Sequence, residues 1–252
     1  MSDVVAYMNA ATKRAGIIDG LPDKIALRPI KKVGIIGAGT MGGGIAMNFA
    51  TAGIPVTIVE TRQDALAHGL EVVRNNYQRS ADRGRFEQDE VDVRMTRIEG
   101  ALEIEKLVDC ELVIEAVFED MDLKKRIFSE LDKICETDTI LATNTSALNI
   151  DEIAAVTSRP QDVIGLHFFS PANVMKLLEI VRADKTADDV VATSMVLAKT
   201  IGKVATLVGV CPGFVGNRIL AARQREAQKL LNEGVLPWDV DNAFNVFGFK
   251  MG

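Results

Sequence analysis

At 252 residues the chain is long enough for one large domain, or for one domain and part of a second, and its 48% hydrophobic and 25% charged residues give an ordinary globular balance. A net charge of −6 leaves no basic field to displace counterions from a phosphate backbone. That argues against nucleic-acid binding but leaves room for a local basic cluster that takes an anionic substrate. No apolar run reaches the roughly 18–20 residues of a membrane helix, and MSDVVAYMNAATKRAG lacks the apolar core of a secretory signal, so neither membrane insertion nor export is expected.

In chain order, residues 1–30 read as a lead-in. A short helix is predicted between Val4 and Arg14, and Gly16, Gly20, Pro22 and Pro29 then break it into a linker. From Lys31 the pattern alternates. KKVGIIG, IPVTIVE, ELVIEAV, TILATNTS, DVIGLHFF, LLEIVRAD and KVATLVGV are strand candidates. Between them, TMGGGIAMNFATAG, DALAHGLEVVRNNYQRSADRG, MDLKKRIFSELDKICE, NIDEIAAVTS and ADDVVATSMVLAKTIG have helical character. Such alternation predicts an α/β, Rossmann-like, doubly wound and mainly parallel sheet over residues 31–210. After Pro212 the strand pattern stops. GFVGNRILAARQREAQKLLNEG and PWDVDNAFNVFG read as helices, so residues 211–252 are expected to start a separate all-α domain.

The first strand runs into the turn Gly37-Ala38-Gly39-Thr40-Met41-Gly42, which opens a helix. A strand before and a helix after give a GxGxxG its weight. Gly37 permits the tight turn, Gly39 the close approach of a pyrophosphate, and Gly42 the packing of helix on strand. Glu60, at the end of the second strand, is placed to accept hydrogen bonds from ribose hydroxyls and to repel a 2′-phosphate, which favours NAD over NADP. A glycine turn in some other doubly wound protein is the plainer alternative.

Only two histidines are present, His68 and His167. His68 lies in a polar helical stretch and reads as a surface residue. His167 sits at the end of a strand, where ligands of open parallel sheets bind. Glu179 interrupts the apolar run KLLEIV, and a buried carboxylate is costly unless paired. If the two strands are neighbours, Glu179 can hold one ring nitrogen and leave the other as a base. A satisfied structural histidine is the alternative. The cysteines, Cys110, Cys135 and Cys211, have no metal-ligand spacing and read as small apolar thiols in a reducing compartment.

Taken together, GAGTMGGGIA, ATNTSAL, HFFSPANVMKLLEIV and PGFVGNR, in this order, resemble the L-3-hydroxyacyl-CoA dehydrogenases of fatty-acid β-oxidation. LPDKIALRPIKKVG, and HFFSP with Ser170, are similar to the multifunctional β-oxidation proteins. The resemblance implies that His167 is the catalytic base and Glu179 its partner, that Ser146 hydrogen-bonds the substrate, and that Asn217 completes the catalytic site. It also implies that Glu119 lies near the nicotinamide ribose, with Lys124 and Asn144 on the cofactor side. For Ser146, Asn217 and Lys124 the plainer readings are a helix cap, a polar helix residue and a solvated basic face shared with Lys125 and Arg126. The implied substrate is a 3-hydroxyacyl-CoA. The implied setting is intracellular: cytoplasmic in a bacterium, peroxisomal in a eukaryotic multifunctional protein.

The family's helical domain extends well beyond the position of Gly252, so most of it is expected to be missing. Homo-oligomerisation, or docking to that missing part, is then expected through Phe244, Val246, Phe247 and Phe249. Two rival readings remain at this point. One is another Rossmann oxidoreductase, such as a β-hydroxyacid or sugar-nucleotide dehydrogenase, which relies on lysine or cysteine. The other is a non-catalytic NAD-binding fragment of a multifunctional protein.

Overall fold

The computed structural model describes residues 2–18, 22 and 24–249, and the break expected at Gly20 lies outside them. Short apolar runs can bury both faces only by pairing side by side under helices. Eight runs do so: β1 (Val33–Ile36), β2 (Val56–Val59), β3 (Ile98–Ala101), β4 (Leu112–Glu115), β5 (Ile140–Thr143), β6 (Val163–Phe168), β7 (Leu177–Arg182) and β8 (Val204–Gly209). Their order is β3-β2-β1-β4-β5-β6-β7-β8. All neighbours from β3 to β6 are parallel. β7 then runs antiparallel to β6, and β8 follows parallel to β7.

The helices are α1 (Ser2–Ala15), α2 (Thr40–Thr51), α3 (Gln63–Asp82), α4 (Asp89–Met95), α5 (Met121–Ile134), α6 (Ile150–Ala154), α7 (Asp188–Thr200), α8 (Gly216–Asn232) and α9 (Pro237–Phe247). One face of the sheet packs on α2, α3 and α7 through Ile45, Phe49, Val73 and Val191. The other packs on α5 and α6 through Phe128, Leu131, Ile150 and Ile153, with Phe214 joining this second core.

Two elements depart from the sequence reading, which left the stretch after α3 without structure. β3 pairs with β2 alone at the sheet edge, and its two middle residues are exposed. Four residues with a glycine among them give too little period to recognise. α4, seven residues long, buries only Val91.

The linker is pinned. The Arg28 guanidinium bonds Asp189 (2.8 Å), Asp162 (2.7 Å) and the Asp138 carbonyl (3.1 Å), and its backbone N–H donates to Thr193 Oγ1 (3.0 Å). At the other end, α8 has no buried residue and α9 only Val240. Of the four residues expected to form an apolar patch, Val246, Phe247 and Phe249 are exposed, while Phe244 is half-buried beneath the Arg223 guanidinium. No described helix is long and apolar enough to cross a membrane.

A Cβ on Gly42 would collide with the carbonyl oxygen of Gly37, so α2 sits against the turn only because this position is bare. Gly42→Ala is expected to cost about 1–3 kcal/mol and to lower the melting temperature by about 3–10 °C. Thermal unfolding followed by circular dichroism measures it, and an unchanged Tm contradicts this role for Gly42.

Candidate active site

Parallel strands present their carboxyl ends along one edge of the sheet, and the chemistry-bearing residues gather there. After β1, Gly37 adopts φ +103°, a conformation suited to glycine. A Cβ on Gly39 would meet nothing within 4 Å, so the space above the turn is open. α2 begins at Thr40 with no side chain capping it, which leaves its first amides available to an anion. Met41 packs against the core and anchors that turn. Glu60 lies alongside: its Oε2 accepts from Ala38 N (3.2 Å) and its Oε1 from the Thr61 N–H (2.7 Å).

Four polar side chains follow along one face of the sheet. Glu115 pairs in register with Thr143 at the ends of β4 and β5, and His167 pairs with Glu179 across β6 and β7. Glu179 Oε2 lies 2.8 Å from His167 Nδ1. Its Oε1 accepts from Val215 N (3.0 Å) and Gly216 N (2.8 Å) at the start of α8. Burial works against the Glu179 charge, but the His167 hydrogen bond and the two amides outweigh it and hold the carboxyl below its usual range. The His167 ring lies 4.4 Å from the Phe169 ring and 5.5 Å from that of Phe214, and 6% of its side chain is exposed. Gly216 must be small, because a Cβ there would press on Phe169.

Asn144 holds the ends of β5 and β6 together, its Oδ1 accepting from Phe168 N (2.9 Å). Beyond it, Glu119 Oε1 accepts from Thr145 Oγ1 (2.7 Å), Ser146 N (2.8 Å), Ser146 Oγ (3.1 Å) and Ala147 N (3.2 Å). Burial raises the Glu119 carboxyl, but these bonds and the Lys124 ammonium prevail and lower it. Ser146 and Asn217 line the same open cleft of about 450 Å³, with Arg218 and Arg225 at its rim. His167 is not among the residues that line that cleft.

Lys124 does not belong to a solvated basic face. It is 1% exposed, with Nζ 2.7 Å from Glu115 Oε1 and 3.5 Å from Glu119 Oε2. Of its neighbours, Arg126 is exposed and Lys125 half-buried against Glu152. His68 is exposed on α3, as expected.

Glu115 was missed, although the signal was available. It interrupts ELVIEAV just as Glu179 interrupts KLLEIV, and a carboxylate in a buried run needs a partner. A basic groove also escaped notice. Arg79, Arg83 and Arg85 from α3 and its end face Lys176 and Lys203 across a cleft of about 670 Å³ whose described lining holds no acid. Lys203 Nζ donates to the carbonyls of Ala172 (2.5 Å) and Met175 (2.8 Å). Burial, with the Lys176 ammonium, pushes its pKa down to about 8.

An uncapped helix above a glycine turn, next to a carboxylate at the end of β2, makes this a dinucleotide-binding protein of the Rossmann class. Residues 32–211 match the family model described as the NAD binding domain of 3-hydroxyacyl-CoA dehydrogenase, and residues 213–252 match that of its C-terminal domain. The chain belongs to the 3-hydroxyacyl-CoA dehydrogenase family. It is 46% identical over 227 residues to the peroxisomal bifunctional enzyme of Cavia porcellus, covering 90% of this chain and 31% of that enzyme. The chain thus spans about a third of the length of the curated relatives it matches. Among solved structures, (S)-3-hydroxybutyryl-CoA dehydrogenase from Ralstonia eutropha superposes with a TM-score of 0.86 at 37% identity, over 89% of this chain and 80% of that one. The dehydrogenase part of multifunctional enzyme 1 from C. elegans gives 0.75 at 34% identity, over 99% of this chain and 59% of that one.

Glu60 beside the turn predicts the cofactor preference. NAD is expected to bind at least tenfold more tightly than NADP, a difference of about 1.4 kcal/mol or more. Glu60→Ala is expected to narrow the gap. Calorimetric titration with both nucleotides decides this, and equal affinities in the unaltered chain contradict it.

Proposed function

We propose that the chain oxidises the S-configured 3-hydroxyl of a 3-hydroxyacyl-CoA to the 3-ketoacyl-CoA, as a step of fatty-acid β-oxidation within a multifunctional protein. The observation that carries this reading is the buried His167–Glu179 pair at the catalytic edge of the sheet. Glu179 is an acceptor only, so Nδ1 is the protonated nitrogen and Nε2 carries the lone pair. Nε2 takes the hydroxyl proton as C3 gives up a hydride with its electron pair, and the C3–O bond becomes a carbonyl. NAD, when bound, supplies the hydride acceptor. The charge that then develops on the imidazole lies 2.8 Å from an ionised carboxylate. Ser146 and Asn217, on their shared cleft, orient the reacting oxygen and the thioester.

The coenzyme A phosphates need cations, and a chain of net charge −6 supplies them locally. The groove of Arg79, Arg83, Arg85, Lys176 and Lys203 meets the loop that directly follows His167, because Lys203 holds that loop at Ala172 and Met175. It is the surface we assign to the phosphates of the substrate. Chemistry at Cys110 and Cys135 is disfavoured, since burial pushes their thiols up to about 12 and about 11.

Two outcomes test this reading. His167→Gln is expected to cut turnover about 10²–10⁴-fold while leaving NAD affinity intact, as for loss of a general base. Glu179→Gln is expected to cut turnover as well. Steady-state NADH formation with 3-hydroxyacyl-CoAs of several chain lengths measures both, and near-normal turnover in His167→Gln overturns the assignment. Arg83→Ala with Lys176→Ala is expected to raise KM for the CoA thioester severalfold, with kcat retained, and to leave KM unchanged for a truncated pantetheine thioester that lacks the phosphates. Equal effects on both substrates remove the groove from the site.

A further inference from the structure

Glu115 ends β4 with no exposed surface, and both of its oxygens accept hydrogen bonds. Oε1 accepts from Lys124 Nζ (2.7 Å) and from Val117 N (2.8 Å), and Oε2 accepts from Thr143 Oγ1 (2.7 Å). Thr143 closes the next strand, so this carboxylate ties together the ends of β4 and β5 and the first turn of α5. The Lys124 ammonium is shared: it touches Glu115 below and lies 3.5 Å from Glu119 above. Glu119 in turn carries the turn through Thr145, Ser146 and Ala147 on one oxygen. Two carboxylates and one ammonium leave one negative charge, and the half-exposed member, Glu119, is the one that faces outward.

We propose that Glu115 is a positioning residue: by holding Lys124 from below, it keeps the ammonium from drawing Glu119 inward, and so leaves Glu119 extended to accept the cofactor's ribose hydroxyls while it fixes Ser146. This rests on the proposed function for the identity of the reaction, but not for its test. A charge-assisted contact at 2.7 Å outcompetes one at 3.5 Å, so Lys124 belongs first to Glu115. Remove the Glu115 charge and the buried ammonium turns to Glu119, the one anionic partner it keeps among the described residues, because an unpaired charge in that position is costly. Glu119 then moves toward Lys124, and the bonds that hold residues 145–147 lengthen.

The experiment is carried out on the whole chain with NAD and without acyl-CoA, so its result stands apart from whether the chain oxidises a thioester. Glu115→Gln keeps the side-chain shape and removes the charge. It is expected to weaken NAD binding about tenfold by calorimetry and to speed hydrogen exchange at the Ser146 and Ala147 amides, with the melting temperature lowered. The double variant Glu115→Gln with Lys124→Met removes both charges. It is expected to regain thermal stability and the slow exchange at Ser146 and Ala147, because no ammonium is then left to draw Glu119 inward. Wild-type NAD affinity and wild-type exchange in Glu115→Gln, with only the melting temperature lowered, would show a purely structural ion pair and overturn the proposal. Exchange at Ser146 and Ala147 as fast in the double variant as in Glu115→Gln would overturn it equally. Should Glu115→Gln fail to fold, Glu115→Asp, which keeps the charge but shortens its reach to Lys124, is expected to weaken NAD binding and speed the same exchange, and wild-type values of both would overturn the proposal.

Discussion

Placing a carboxylate inside a sheet costs several kcal/mol unless its lone pairs are engaged, and Glu179 engages them in two directions at once. One oxygen meets His167 on the neighbouring strand, and the other collects two amides from the start of α8. The helix N-terminus contributes its positive end as well as its N–H groups, which favours the ionised form. The position of the helical segment, the direction of the imidazole and the charge of the carboxylate are thus one problem with one solution. Moving α8 away would strand a buried anion, and removing the anion would leave two amides and a ring nitrogen unpaired. The reversal of β7 makes this possible, because an antiparallel neighbour brings Glu179 directly opposite His167 within a twelve-residue separation.

Much of this was legible in the residues. Seven of the eight strands were marked by continuous apolar runs, which is how strands covered on both faces announce themselves. The glycine turn was read from its context, and the His167–Glu179 pairing from the cost of an acid in an apolar run. What the sequence withheld has physical reasons. β3 is half exposed and carries Gly100, so its composition resembles a loop. The basic groove is assembled from α3, from its C-terminal end and from loops nearly a hundred residues further on, and no local pattern reports such convergence. The site roles given to Ser146, Asn217, Asn144 and Lys124 came from resemblance rather than from chemistry. In the structure, Lys124 turns out to be enclosed between two carboxylates.

The same sheet face carries polar residues on four successive strands, Glu115, Thr143, His167 and Glu179, each near the carboxyl edge and each enclosed by apolar side chains deeper in the second core. Low surroundings of this kind make a satisfied network rigid and a broken one costly. Rigidity there and openness above the glycine turn are complementary: one fixes the groups proposed to handle protons, and the other leaves room for a bulky nucleotide. The thiols of Cys110 and Cys135 lie within the apolar part of this core, and their raised pKa values keep them inert.

The Arg28 strap has a mechanical consequence. Its three acceptors, before β5, before β6 and at the start of α7, all lie on the amino edge of the sheet, opposite the edge where His167 and the glycine turn sit. A tug on residues 24–30 is therefore taken up by charged bonds at the far border, and the strands pass it along their stiff length to a common rim. The load spreads over three elements before it reaches the imidazole, so the linker can be strained without changing the spacing of His167 and Glu179.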